Sequence, residues 1–136
     1  MSLVGWKELS LGECCEIFSG YPFASEGFTD DADDIPLVKG ENVGQGEILW
    51  GISKRWPRQD ADELARYKLI AGDVVLAMDR PWVPAGLKFA KIETSAPEAL
   101  LVQRVARLRS RGELDQNYLA QLIASPSFVS YVQSVG

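Results

Sequence analysis

The chain contains no histidine. That absence removes Ser-His-Asp and Cys-His nucleophilic sites, histidine general bases and most zinc hydrolases in one step. Any catalytic reading rests on carboxylates, lysine or tyrosine alone. Cysteine is scarce too, with Cys14 and Cys15 as neighbours. Adjacent cysteines bridge poorly, and two thiols without histidine make a poor metal set. They read as small residues near a helix, one buried and one not, in a reducing cytosol. No run approaches the roughly 20 apolar residues of a membrane span. No basic region followed by an apolar stretch and a small-residue cleavage site marks the chain for export. The expectation is a cytoplasmic protein that carries no cofactor and no metal and meets no membrane.

What is present fits one soluble globular domain. The 136 residues are 46% hydrophobic and 24% charged, and a domain of this size buries about two-thirds of its unfolded surface. The net charge of −5 is unevenly spread. Residues 1–53 hold 2 basic and 10 acidic side chains, residues 54–111 hold 12 basic and 7 acidic, and the remainder holds 2 acids and no base. A basic middle inside an acidic chain is the asymmetry that bears on partners.

There is no repeat and no low-complexity tract. Ser10-Leu11-Gly12-Glu13 matches a capping box and predicts a short helix from Ser10 to about Phe18. Thr29 to Asp34 reads as a solvated acidic turn. Ile35 to Lys39 reads as a strand with Pro36 marking an edge or a strand start. Gly46 to Ser53, Val74 to Met78, Gly86 to Ile92 and Ala99 to Leu108 read as further strands, and Ala61 to Tyr67 as one or two helical turns. Asp115 caps a helix, and Ser125-Pro126 opens a second whose apolar stripe is Phe128, Tyr131, Val132 and Val135. The fold class expected is α+β: a β-rich domain of short twisted strands, with a short N-terminal helix and C-terminal helices.

Five segments, in order, resemble one family. Trp6 to Glu13 is similar to its opening tryptophan and Leu-Gly-Glu/Asp turn. Ser19-Gly20-Tyr21-Pro22-Phe23-Ala24-Ser25 is similar to its Ser-Gly-x-Pro-Phe-x-Ser segment. Ile35 to Val43 resembles a strand reading Ile-Pro-hydrophobic-hydrophobic-Arg/Lys-x-x-Asn/Asp. Ala71-Gly72-Asp73-Val74-Val75 resembles a Gly-Asp strand start, and Tyr118 to Phe128 resembles the closing helices. Each alone is common, but the ordered set resembles the specificity subunits of type I restriction–modification systems. A complete subunit of that family carries two such domains joined by long helices, so the resemblance implies a fragment or half-subunit. The division it suggests is a DNA target-recognition domain over 1–114, with C-terminal helices over 115–136 that begin the spacer region and pack on the same domain.

The resemblance implies a domain that reads one half of a split target in double-stranded DNA. Partner modification (methyltransferase) and restriction subunits would supply the chemistry, and the C-terminal helices offer a surface for a homodimer. A DNA reader needs cations for phosphates and forked or amide side chains for base edges. The basic segment offers Lys54, Arg55 and Arg58 around Trp56, and Arg80 beside Trp82, both clusters being expected on loops. Lys39, Asn42, Gln45 and Lys88 are further candidates. Stem packing and cation–π contacts are the structural alternative for the Arg–Trp clusters. Alternation puts Arg107 and Arg109 on one face of a strand, where a solvated face is expected. Two rival functions remain at this point. One is a magnesium nuclease using Asp73 and Asp79; these bracket a strand from opposite ends, and Asp73 is more simply a turn residue. The other is an orphan half-subunit acting as a protein-interaction module.

Overall fold

The computed structural model describes residues 15–78, 82–83, 86–110 and 116. Among these residues nine strands form three sheets. β1 is Cys15–Ser19, β2 Ile35–Val38, β3 Arg55–Trp56, β4 Val74–Ala77, β5 Trp82–Val83, β6 Gly86–Leu87, β7 Phe89–Lys91, β8 Leu100–Leu101 and β9 Val105–Ser110. The largest sheet has the order β1-β9-β4-β7 and is antiparallel throughout. The second has the order β3-β2-β8, with β2 antiparallel to β3 and parallel to β8. β5 and β6 pair as a separate hairpin.

β2 and β8 lie between two apolar clusters. Ile35, Leu37 and Leu100 belong to one, with Phe23, Ala61, Leu64 and Val102. Val38 and Leu101 face the other, with Val43, Leu69, Val75, Ala77, Ala90, Ile92, Ala99 and Val105. A strand covered on both faces reads as a continuous apolar run, and that is how both segments are written. Pro36 is tolerated because it precedes the residues that pair with β8, which begin at Leu37.

β8 and β9 are one expected strand cut in two. The chain turns at Gln103-Arg104, where Arg104 takes the left-handed φ of 68° and Val105 N–H donates to Val102 O. The break lets β8 serve the small sheet while β9 crosses the large one. Gly20 sits against this junction, where an added Cβ would stand 2.2 Å from the Val102 carbonyl.

Several expectations change. The helix expected from Ser10 to about Phe18 is replaced from Cys15 onward by β1, whose five residues pair with β9 from Cys15↔Ser110 to Ser19↔Ala106; residues before Cys15 lie outside the described set. The strand expected over Gly46 to Ser53 is instead an isolated pairing of Val43 with Ile48, followed by a 3₁₀ turn at Trp50–Ile52. Gly86 to Ile92 divides into β6 and β7, and the helical turns over Ala61 to Tyr67 reduce to turns ending in a 3₁₀ turn at Ala65–Tyr67. The C-terminal helices lie outside the described residues except for Gln116, which is helical. Its amide accepts from Ser110 N–H (2.7 Å) and donates to the carbonyls of Gly72 and Leu108, fastening that point to the large sheet. Among the described residues the domain is mostly strand, and no helix is long and apolar enough to cross a membrane.

Candidate nucleic-acid interface

Arg55 is on β3 rather than a loop, paired with Pro36. Its Nη1 donates to the carbonyls of Asp34 (2.8 Å) and Ala32 (3.4 Å). Arg58 opens a 3₁₀ turn at Arg58–Asp60. Its Nε donates to Asp33 O at 2.8 Å, its Nη1 to Glu98 Oε2 at 2.9 Å, and its backbone N–H to Asp34 Oδ1 at 3.1 Å. The acidic turn expected to be solvated is thus held by two of the arginines assigned to DNA. Thr29 Oγ1 also donates to Asp34, at 2.7 Å. That hydrogen bond, followed by the one from Arg58 N–H, keeps the Asp34 carboxyl below its ordinary pKa.

The Trp56 ring stands edge-on to Phe23 at 4.9 Å and to Phe28 at 6.3 Å, over Gly27, where no Cβ fits. Packing in the apolar cluster therefore accounts for Trp56. Lys54 is exposed beside it. Asn42 is fully buried: its Oδ1 accepts from Lys39 N–H, and its Nδ2 donates to Leu49 O and Ser53 Oγ. It holds the loop that presents Lys39 and does not itself reach solvent. Gln45 is exposed and Lys88 half-buried, next to β7. Arg80 lies outside the described residues, and Trp82 is described only through its pairing with Leu87. The structure thus gathers Lys54, Arg55, Trp56 and Arg58 in one region.

Lys68 joins that region, its Nζ 2.9 Å from Glu98 Oε1, so one carboxylate bridges Lys68 and Arg58. Hydrogen bonds from Lys68 and then Arg58 depress the Glu98 pKa. A depressed folded pKa contributes stability that is present above the unfolded value of about 4.5 and lost as pH falls through the folded one. Both partners are substantially exposed, so the contribution is at most about 1 kcal/mol. Urea midpoints measured from pH 6 down to pH 3 should fall less in Glu98→Gln than in the parent. Equal slopes would show that the bridge carries no acid sensitivity.

The solvated face expected for Arg107 and Arg109 is not found. Arg107 is 4% exposed, stacked 4.5 Å from the Phe18 ring centroid, with Nη1 on Arg66 O and Nη2 on Glu16. Burial, then the neighbouring Arg109, lowers its pKa. Arg109 forks onto Asp73, with Nε to Oδ1 and Nη2 to Oδ2. Asp73 also accepts from Ile70 N–H, the turn role read from Gly72-Asp73. Among the described residues no group of three or more acidic or cysteine side chains is placed to hold a metal.

The fold is similar to that of two solved chains. A chain from a structural study of complex assembly and conformational transition of the type I R-M system superposes with a TM-score of 0.62 at 17% identity, over 89% of this chain and 28% of that one. The HsdS subunit from Thermoanaerobacter tengcongensis superposes with a TM-score of 0.55 at 20% identity, over 82% and 25%.

The sequence relatives are type I restriction enzyme specificity subunits. The chain is 30% identical over 129 residues to the type I restriction enzyme EcoAI specificity subunit of Escherichia coli, covering 94% of this chain and 22% of that protein. It is 30% identical over 124 residues to the MjaVIII specificity subunit of Methanocaldococcus jannaschii, covering 90% and 29%. No family model matches. The resemblance read from the motifs holds: the chain is related to a segment of type I restriction enzyme specificity subunits, spanning between a fifth and a third of their length.

Proposed function

We propose that this chain is a DNA target-recognition domain of a type I specificity subunit. It reads one half-site in double-stranded DNA and directs modification and restriction subunits to it in the cytoplasm. It catalyses nothing itself. The observation that carries this reading is the relationship to two specificity subunits along 90% or more of the chain. The lack of histidine and the use of Asp73 as an internal ion-pair partner support the non-catalytic part. Lys54, Arg55 and Arg58, together with Arg80 and Trp82, carry the DNA contacts in this reading.

One domain engaging one half-site, within an acidic chain, should bind duplex DNA weakly, with Kd of about 10⁻⁴ to 10⁻⁶ M at physiological salt. Titrations across salt should give a log–log slope of about −0.9 per phosphate contacted. An Arg55→Ala, Arg58→Ala, Arg80→Ala triple variant, still folded by circular dichroism, should bind more weakly with a flatter slope. Parent-like binding at every salt would remove these residues from the interface, and no binding by the parent at 1 mM would overturn the function.

A further inference from the structure

Two of the segments that carry the family resemblance meet at one cleft of about 460 Å³, lined among others by Ser25, Phe28, Lys39, Glu41 and Gln103. Within it Lys39 Nζ stands 3.3 Å from Glu41 Oε1 and 5.2 Å from the Phe28 ring centroid. Both side chains keep solvent access, 30% for Lys39 and 52% for Glu41, so neither is spent on the core. Their backbone is held by hydrogen bonds. The turn Gly40–Asn42 is pinned by buried Asn42, which bonds Lys39 N–H behind the pair and Leu49 O and Ser53 Oγ across the loop.

Resting on the DNA-recognition reading above, we propose that Lys39 and Glu41 form a base-reading pair that takes one G·C pair through the major groove. A carboxylate beside the ammonium cancels its charge and repels phosphate, which makes the pair a poor backbone clamp. A donor next to an acceptor suits an uncharged edge that offers the complement. Lysine donates to guanine O6 and N7, and glutamate accepts from cytosine N4. Phe28 beneath Lys39 restricts where the ammonium points, and the pinned turn fixes the spacing of the two groups. Buried Asn42 is then a positioning residue for this pair.

The test is enrichment of a randomised duplex pool on the immobilised chain, followed by sequencing, for the parent, Lys39→Gln and Glu41→Gln. Enrichment depends on discrimination rather than on absolute affinity, so weak binding does not prevent it. Glu41 is exposed and Lys39 half-buried, and circular dichroism verifies that each variant is folded. Preference at one and the same G·C position should drop roughly tenfold in each variant, as loss of a base contact does. Glu41→Gln should also bind unselected DNA more tightly, because a repelling carboxylate is gone. Unchanged preferences, with Lys39→Gln lowering the salt slope by about one, would make Lys39 a phosphate contact and overturn the proposal alone. Loss of preference at an A·T position would overturn the G·C assignment. A parent that enriches nothing would overturn this proposal together with the recognition function.

Discussion

Arg109→Ala is expected to unfold roughly 10 °C below the parent. Asp73, 2% exposed just before β4, lies in the protein interior, where Arg109 on β9 forks onto both of its oxygens, the second at 2.9 Å. Removing the guanidinium leaves the carboxylate, among the described residues, with one remaining donor, Ile70 N–H at 2.9 Å. Breaking a buried pair by deleting one partner costs about 3–5 kcal/mol, most of it the burden of the stranded charge. Arg109 keeps about a third of its side chain in water, which places the cost near the low end, about 3 kcal/mol. For a domain of this size that corresponds to roughly 10 °C in Tm. The hydrogen bond to Asp73 holds the Arg109 pKa above its ordinary value. The stranded charge is the decisive quantity, and a double variant isolates it. Asp73→Asn with Arg109→Ala should be more stable than Arg109→Ala alone, because the amide keeps the Ile70 bond without a charge to solvate. Thermal unfolding followed by circular dichroism decides the matter. A single variant within 2 °C of the parent would show that water reaches Asp73 as soon as Arg109 is gone.

The same pair shows what a sequence can and cannot convey. Val74 to Ala77 and Ile35 to Val38 are legible because strands buried on both faces are written as unbroken apolar runs. Asp73 is legible as a turn residue because it follows Gly72, which in the structure takes a φ of 94°. Its partner was not, since Arg109 is 36 positions away and reaches Asp73 only through the β4–β9 register. Arg107 misled for a related reason. Alternation marks it as one face of a strand, but that face meets Phe18 on β1, a segment whose upstream capping signal argues for helix. β1 is an edge strand fixed by its pairing with β9, and no local propensity announces such a partner. For the candidate site, the Arg–Trp clustering at residues 54–58 was visible in the sequence. That Arg55 and Arg58 grip the acidic turn, and that Trp56 packs on Phe23, depends on β2 and β3 lying side by side. Lys39 was visible as a cation, whereas its coupling to Glu41 and Phe28 in a cleft required the fold.

Gly20→Ala should be strongly destabilising, and its cause is equally non-local. An alanine Cβ there would lie 2.2 Å from both C and O of Val102 and 2.6 Å from the carbonyl carbon of Leu101. These are backbone atoms, so no side-chain rotation relieves the overlap. Moving them is costly, because the same short stretch carries Gly20 N–H to Val105 O, Tyr21 N–H to Leu101 O and Gln103 N–H to Tyr21 O. It also carries Leu100 and Leu101, which anchor the two apolar clusters from opposite faces of β8. The strain therefore reaches both clusters at once. Overpacking a core with one methyl costs about 1–3 kcal/mol where side chains can adjust; where only backbone can, about 3 kcal/mol or more is expected. Gly40→Ala is the matched comparison, since an added Cβ there meets nothing within 4 Å. It should leave stability unchanged or raise it by about 0.4–1 kcal/mol through the unfolded chain. Urea unfolding of the two variants side by side separates close approach from the general effect of replacing glycine. If both lost the same stability, the Ser19-Gly20 segment would owe its glycine to something other than the β8–β9 junction. A loss confined to Gly20→Ala would make that family motif a structural one, the hinge on which the small sheet is fastened to the large.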